Sequence, residues 1–106
     1  MVKRIRLLLD YGCYPVWLYD ENDDVIDTLL PEELRSDIDL DKKFDDLQAR
    51  YEALFINDAH EFSYVGFKND ADRELFLRDW ALTTTELKEK LQGKYPLTDD
   101  VALAGI

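Results

Sequence analysis

From Arg4 to Tyr11 the apolar side chains Ile5, Leu7, Leu9 and Tyr11 alternate with Arg4, Arg6, Leu8 and Asp10. A period of two is that of a strand with one buried face, so a first strand is expected here. Gly12 and Pro15 punctuate a turn. The β-branched and aromatic run Val16-Trp17-Leu18-Tyr19 follows as a second strand. Asp20-Glu21-Asn22-Asp23-Asp24 supplies the turn residues most tolerant of positive φ after glycine, and Val25-Ile26-Asp27-Thr28 completes a three-strand meander. The period then changes. Leu30-Pro31-Glu32-Glu33-Leu34 reads as a short helical turn, and a longer helix is expected to start near Asp37 or Asp39 and end at Asn57-Asp58. Its stripe is Leu40, Phe44, Leu47, Tyr51, Leu54 and Phe55, spaced for one helical face. Residues 61–67 return to a strand pattern. Asn69 or Asp70 caps a last helix lined by Phe76, Trp80, Leu87 and Leu91, with Thr83 and Thr84 filling the gap in the stripe and Gly93 as its C-terminal cap.

The expected order is therefore β-β-β-α-β-α, with strands grouped rather than alternating with helices. That grouping predicts an α+β fold: an antiparallel sheet of about four strands with two main helices packed on one face. Residues 1–95 make the single domain expected of this pattern, and 96–106 are read as a mobile tail. The length of 106 residues agrees, since a chain this long buries about two-thirds of its unfolded surface around one core.

Charge changes the picture more than composition does. The net charge is −11, and residues 20–46 carry twelve acids against three bases. Phosphate binding needs a basic footprint, so nucleic acid and anionic membrane are the wrong partners, and a basic protein is the natural one. No apolar run is long enough to span a bilayer. The opening residues lack the apolar stretch of a signal peptide. With a single cysteine, Cys13, an internal disulfide is impossible, so a cytoplasmic location is expected.

Candidate chemistry is thin. Cys13 and His60 could form a thiol–imidazole pair, but nothing in their spacing brings them together. Asp20-x-Asn22-x-Asp24 and Asp37-x-Asp39-x-Asp41 begin like calcium loops. Both then fail, with Val25 and Lys42 where glycine belongs and Pro31 and Gln48 where glutamate belongs. One Cys and one His cannot close a zinc site, and there is no glycine-rich phosphate loop. No cofactor, metal or catalytic residue is assigned, and the chain is read as a non-enzyme.

The segment from Tyr11 to Asp24 is more informative. Tyr11, Tyr14, Trp17 and Tyr19 stand beside the densest acid run, and such rings dominate interface hot spots. If Val16 and Leu18 face the helices, alternation puts Trp17 and Tyr19 on the opposite, uncovered face. The candidate partner-binding residues are Tyr14, Trp17 and Tyr19 as anchors, with Asp20, Glu21, Asp23 and Asp24 meeting Lys or Arg. A second candidate surface is the acidic side of the 37–55 helix, at Asp41, Asp45 and Glu52.

The run Arg4-Ile5-Arg6-Leu7-Leu8-Leu9-Asp10-Tyr11-Gly12-Cys13-Tyr14-Pro15-Val16-Trp17-Leu18-Tyr19-Asp20, followed by Leu30-Pro31-Glu32-Glu33-Leu34, resembles bacterial immunity proteins encoded beside polymorphic toxins, including the contact-dependent inhibition class. The likeness extends to Tyr64-Val65-Gly66-Phe67 and brings no shared catalytic motif. It implies a partner that is a cognate toxin domain, often a nuclease with a basic cleft, which the chain would occlude. Two other readings stay open at this point: a self-associating adaptor module, such as a homodimer through the aromatic sheet face, and a ligand-binding or metal-dependent enzyme using its carboxylates.

Overall fold

A computed structural model describes residues 1–106, the side chains of Leu103 and Ala104 excepted. The meander forms as the alternation requires. Strands β1 (Arg4–Leu7), β2 (Val16–Tyr19) and β3 (Val25–Thr28) pair antiparallel, Ile5 opposite Leu18 and Leu7 opposite Val16. Ile5, Leu7, Val16 and Leu18 are all buried on the inner face. Between Leu18 and Tyr19 the register slips by one residue, leaving Ile26 as the extra residue of a bulge on β3. A bulge on an edge strand twists it away from further pairing.

Helix α1 (Ile38–Glu52) starts on Asp37, whose side chain accepts from Leu40 N. Its acids at Asp39 and Asp41 suit the positive end of the helix dipole. Helix α2 (Asp70–Leu91) starts on Asn69, whose side chain accepts from Asp72 N, and ends in left-handed residues Gln92 and Gly93. Leu40, Phe44 and Leu47 of α1 and Phe76, Trp80 and Leu87 of α2 join the inner sheet face in one core. At about 1.5–3 kcal/mol per large apolar side chain, this burial is the main term opposing chain entropy. Ion pairs clamp the two helices: Lys43–Glu86 at 2.6 Å, Arg50–Asp79 at 2.9 Å, and Lys90 with the α1 cap Asp37, while Glu86 also holds Lys90 within α2.

The α+β class, the four-stranded sheet and the two main helices are as the sequence predicts, but the fourth strand is a different segment. After α1 the chain turns into a separate hairpin of β4 (Phe55–Asn57) and β5 (Phe62–Tyr64), which pair only with each other. The stripe position Phe55 thus belongs to a strand, since α1 stops at Ala53. The sheet is completed by β6 (Leu97–Asp99), which runs parallel to β1, giving the order β3-β2-β1-β6. The sheet is consequently mixed rather than antiparallel.

Residues 96–100, read from the sequence as part of a tail, are tied to β1 by Ile5 N to Pro96 O at 2.9 Å and Asp100 N to Leu7 O at 2.8 Å. Side chains reinforce the strand. Arg6 pairs with Asp100 at 2.5 Å, and the buried Trp80 donates its indole N–H to Asp99. Before β6, Lys94 and Tyr95 both contact Glu33 in the 3₁₀ turn Glu32–Leu34. Lys94, a hydrogen bond within Glu33 itself and the Tyr95 hydroxyl hold the Glu33 carboxyl at about 2.

Candidate functional site

The β2–β3 turn builds itself from its own acids. Asp20 Oδ1 accepts from Asn22 N at 2.8 Å and Asp24 N at 3.0 Å, and Asp23 takes a left-handed conformation with φ 65°. Asp23 is also the partner of Arg4, at 2.5 Å, and that guanidinium lowers its carboxyl pKa. Asp20 and Asp23 are therefore partly used within the fold. Glu21 and Asp24 point to solvent and, among the described residues, have no ion pair.

The proposed aromatic anchors are placed differently from one another. Tyr19 is buried, at 6% exposure, although alternation puts it on the outer face. Arg4 lies 3.9 Å over its ring, and Arg6 donates to its hydroxyl at 3.5 Å. The stems of these two β1 arginines cover the outer sheet face that the sequence leaves open. Trp17 is half-buried and donates its indole N–H to Leu8 O at 3.2 Å. Both rings thus serve the sheet, which limits what they can offer a partner.

Tyr14 lies instead against α1, its ring 6.0 Å from that of Phe44. Its hydroxyl is buried and has no hydrogen-bond partner of normal geometry. Burial pushes the Tyr14 phenol up, and Asp41 and Asp45 push it further. Asp45 is itself raised by burial and by Asp41. The structure so brings Tyr14, Asp41 and Asp45 together, joining residues from the two surfaces inferred separately from sequence. Glu52 does not share their freedom. Its Oε2 accepts from Gly12 N at 2.7 Å and from Gln48 Nε2 at 2.9 Å, fastening the Asp10–Cys13 turn to α1.

The β4–β5 hairpin carries what the sequence reading missed. Phe55 and Phe62 stack at 5.3 Å, with Tyr11 edge-on to both and Tyr51 and Tyr64 edge-on to Phe55. Tyr51 lies buried at one end, while Phe62 is 57% exposed and Tyr64 44%. The available signal was the density of rings in residues 51–67, which a helix stripe and a single strand divided between them.

Surface grooves among the described residues include two that bear on the ion pairs above. One, of about 300 Å³, runs between the helices and is lined by the clamping ion pairs. The other, of about 680 Å³, lies beside Glu32, Glu33, Lys94 and Tyr95. Among the described residues no group of three or more His, Cys, Asp or Glu is placed to hold a metal ion. No hydrogen bond joins Cys13 to His60, and burial with Asp10 and Glu52 raises the thiol pKa, opposite to what a nucleophile needs. No helix among the described residues is long and apolar enough to cross a membrane.

An acidic α+β domain with charged turns and partly exposed rings has the surface of a protein that binds another protein. Residues 3–98 match the family model described as Serratia CdiI immunity protein-like, and the chain belongs to that family. No curated protein matches it significantly. Membership makes this an immunity protein of a contact-dependent inhibition system, with a toxin-inhibiting role and a cognate toxin protein as its partner.

Proposed function

We propose that this domain, acting in the cytoplasm and without catalysis, neutralises a basic toxin domain, a nuclease, by covering its active site. The observation that carries this reading is the state of the acids between residues 20 and 46. Of the twelve, Asp23, Glu33, Asp37 and Asp46 are in ion pairs, which leaves eight with none among the described residues. A surface this short of internal counter-charges is held ready for external ones, and a substrate cleft lined with Lys and Arg supplies them. Glu21 and Asp24 at the β2–β3 turn and Asp41 and Asp45 beside Tyr14 are the contact groups, with Asp20 and Asp23 shaping the turn. Trp17 and Tyr19 back the sheet beneath it.

Co-expression with the toxin domain encoded by the adjacent gene tests the reading, together with pull-down of the two purified chains. Survival of the host and a complex in which the toxin no longer cleaves nucleic acid are the expected outcome. Absence of a complex overturns the proposal. A complex whose toxin cleaves nothing even when free corrects the nuclease assignment.

A further inference from the structure

An acidic surface attracts any basic protein, so attraction alone does not select one toxin among several. The groove of about 680 Å³ has the opposite character. Lys3, Arg35 and Lys94 line it against Glu32 and Glu33, an excess of cations in a molecule of net charge −11. Glu33 is already held by Lys94 at 2.6 Å and by the Tyr95 hydroxyl at 2.8 Å. That leaves one free carboxylate, Glu32, facing two cations, Lys3 and Arg35, that are exposed and have no ion pair among the described residues.

Arg35 is set to receive an anion. Its Nε donates to Leu30 O at 3.3 Å, and among the described residues no hydrogen bond uses its terminal nitrogens. The guanidinium is thus anchored, while the pair of nitrogens that grips a carboxylate stays open. The rest of the lining is apolar. Val2 and Tyr95 pack partly buried against the core, and Ile26, the bulge residue of β3, is 46% exposed. Covering such side chains removes water from around a charge pair and strengthens it. The position of the groove matters as much as its chemistry. Lys3 N donates to Tyr19 O at 2.8 Å, and the next residue, Arg4, reaches Asp23 at 2.5 Å, so the groove adjoins the β2–β3 turn. A partner seated on Glu21 and Asp24 extends over it. One that brings only Lys and Arg there meets like charge, whereas one that brings a carboxylate gains a pair.

We infer that the groove between Lys3 and Arg35 receives an Asp or Glu side chain of the cognate toxin domain and so sets which toxin this chain accepts. This rests on the toxin-binding reading above and adds to it a contact of reversed polarity. The acidic turn draws in basic proteins in general, and the groove admits the one that carries a carboxylate at the matching place.

The sign of a charge reversal provides the test. Lys3→Glu and Arg35→Glu each take the net charge from −11 to −13, which by general attraction alone leaves binding to a basic toxin unchanged or strengthens it. The groove contact requires the reverse: each is expected to weaken affinity for the purified toxin domain encoded by the adjacent gene about tenfold or more. Lys68→Glu adds the same charge at an exposed lysine outside the groove and is expected to bind as the parent does. Urea midpoints are measured for every variant. Lys3→Glu, whose side chain makes no hydrogen bond or ion pair among the described residues, keeps the test valid should Arg35→Glu fold poorly. Affinity within about threefold of the parent, or tighter, for the folded reversals overturns the groove contact while leaving toxin binding in place. Equal weakening by Lys68→Glu also overturns it. A saturable rise in the parent's unfolding midpoint with succinate or phosphate, abolished by Arg35→Glu while toxin affinity stays unchanged, assigns the groove to a small anion and overturns the toxin contact. Failure of the parent chain to bind toxin overturns both this contact and the reading it rests on.

Discussion

Glu52 shows how one carboxylate can be mistaken for surface charge. It lies on the solvent side of the α1 stripe, yet its Oε2 holds the Gly12 amide and the buried Gln48 side chain, which in turn donates to Asp10 O at 2.9 Å. Hydrogen bonds to a charged group contribute about 1.5–3 kcal/mol. Glu52→Ala is therefore expected to lower unfolding stability by about that amount in urea titration, and Glu52→Gln, which still accepts, to restore most of it. Equal stability of Glu52→Ala and the parent would show that water replaces the carboxylate at no cost. Residue type alone could not reveal this, because the donors lie forty and four positions away. The same limit explains Tyr19: alternation fixes the face it occupies, but only the neighbouring strand shows that Arg4 and Arg6 cover it.

At the scale of elements, legibility followed the range of the contacts that make each one. The β1–β2–β3 meander and both long helices are specified locally, by period, turn residues and caps, and they form in the segments the pattern assigns, although β1 ends at Leu7 rather than Tyr11 and α1 at Glu52 rather than Asn57. Strand β5 lies within the expected strand 61–67, whereas β4 and β6, at three residues each, are too short to show a period. Strand β6 depends on partners far off in sequence: β1 for its backbone, Arg6 for Asp100 and Trp80 for Asp99. A chain ending at residue 95 should reveal what those partners contribute. It leaves the β1 edge unpaired, Trp80 N–H without Asp99 and Arg6 without Asp100, so its urea midpoint is expected to fall well below that of the full chain. An unchanged midpoint would show that 96–106 trails from a domain already complete at residue 95.

For the whole molecule, the question is what a net charge of −11 does once folding has used the acids it needs. The helix clamps and the Arg4–Asp23 and Arg6–Asp100 pairs account for several carboxylates, and those are the ones a binding partner must compete for. Glu21 and Asp24 are not among them, which makes them better probes of steering than Asp23, whose reversal would also break its pair with Arg4. Exchanging both for lysine takes the net charge from −11 to −7 and adds two cations where the approach of a basic toxin would be guided. Exposed charges act over about 8 Å at physiological salt and about 30 Å at 0.01 M. Association of the parent with the toxin domain should thus fall steeply as salt rises, whereas the double reversal should associate more slowly at low salt and depend less on it. Dissociation should change little, because rim charges set the approach and buried contacts set the lifetime. Stopped-flow mixing across a salt series separates the two rates. Identical salt slopes for the two proteins would remove the β2–β3 turn from the approach path and leave the Tyr14–Asp41–Asp45 side of α1 to be tested in the same way.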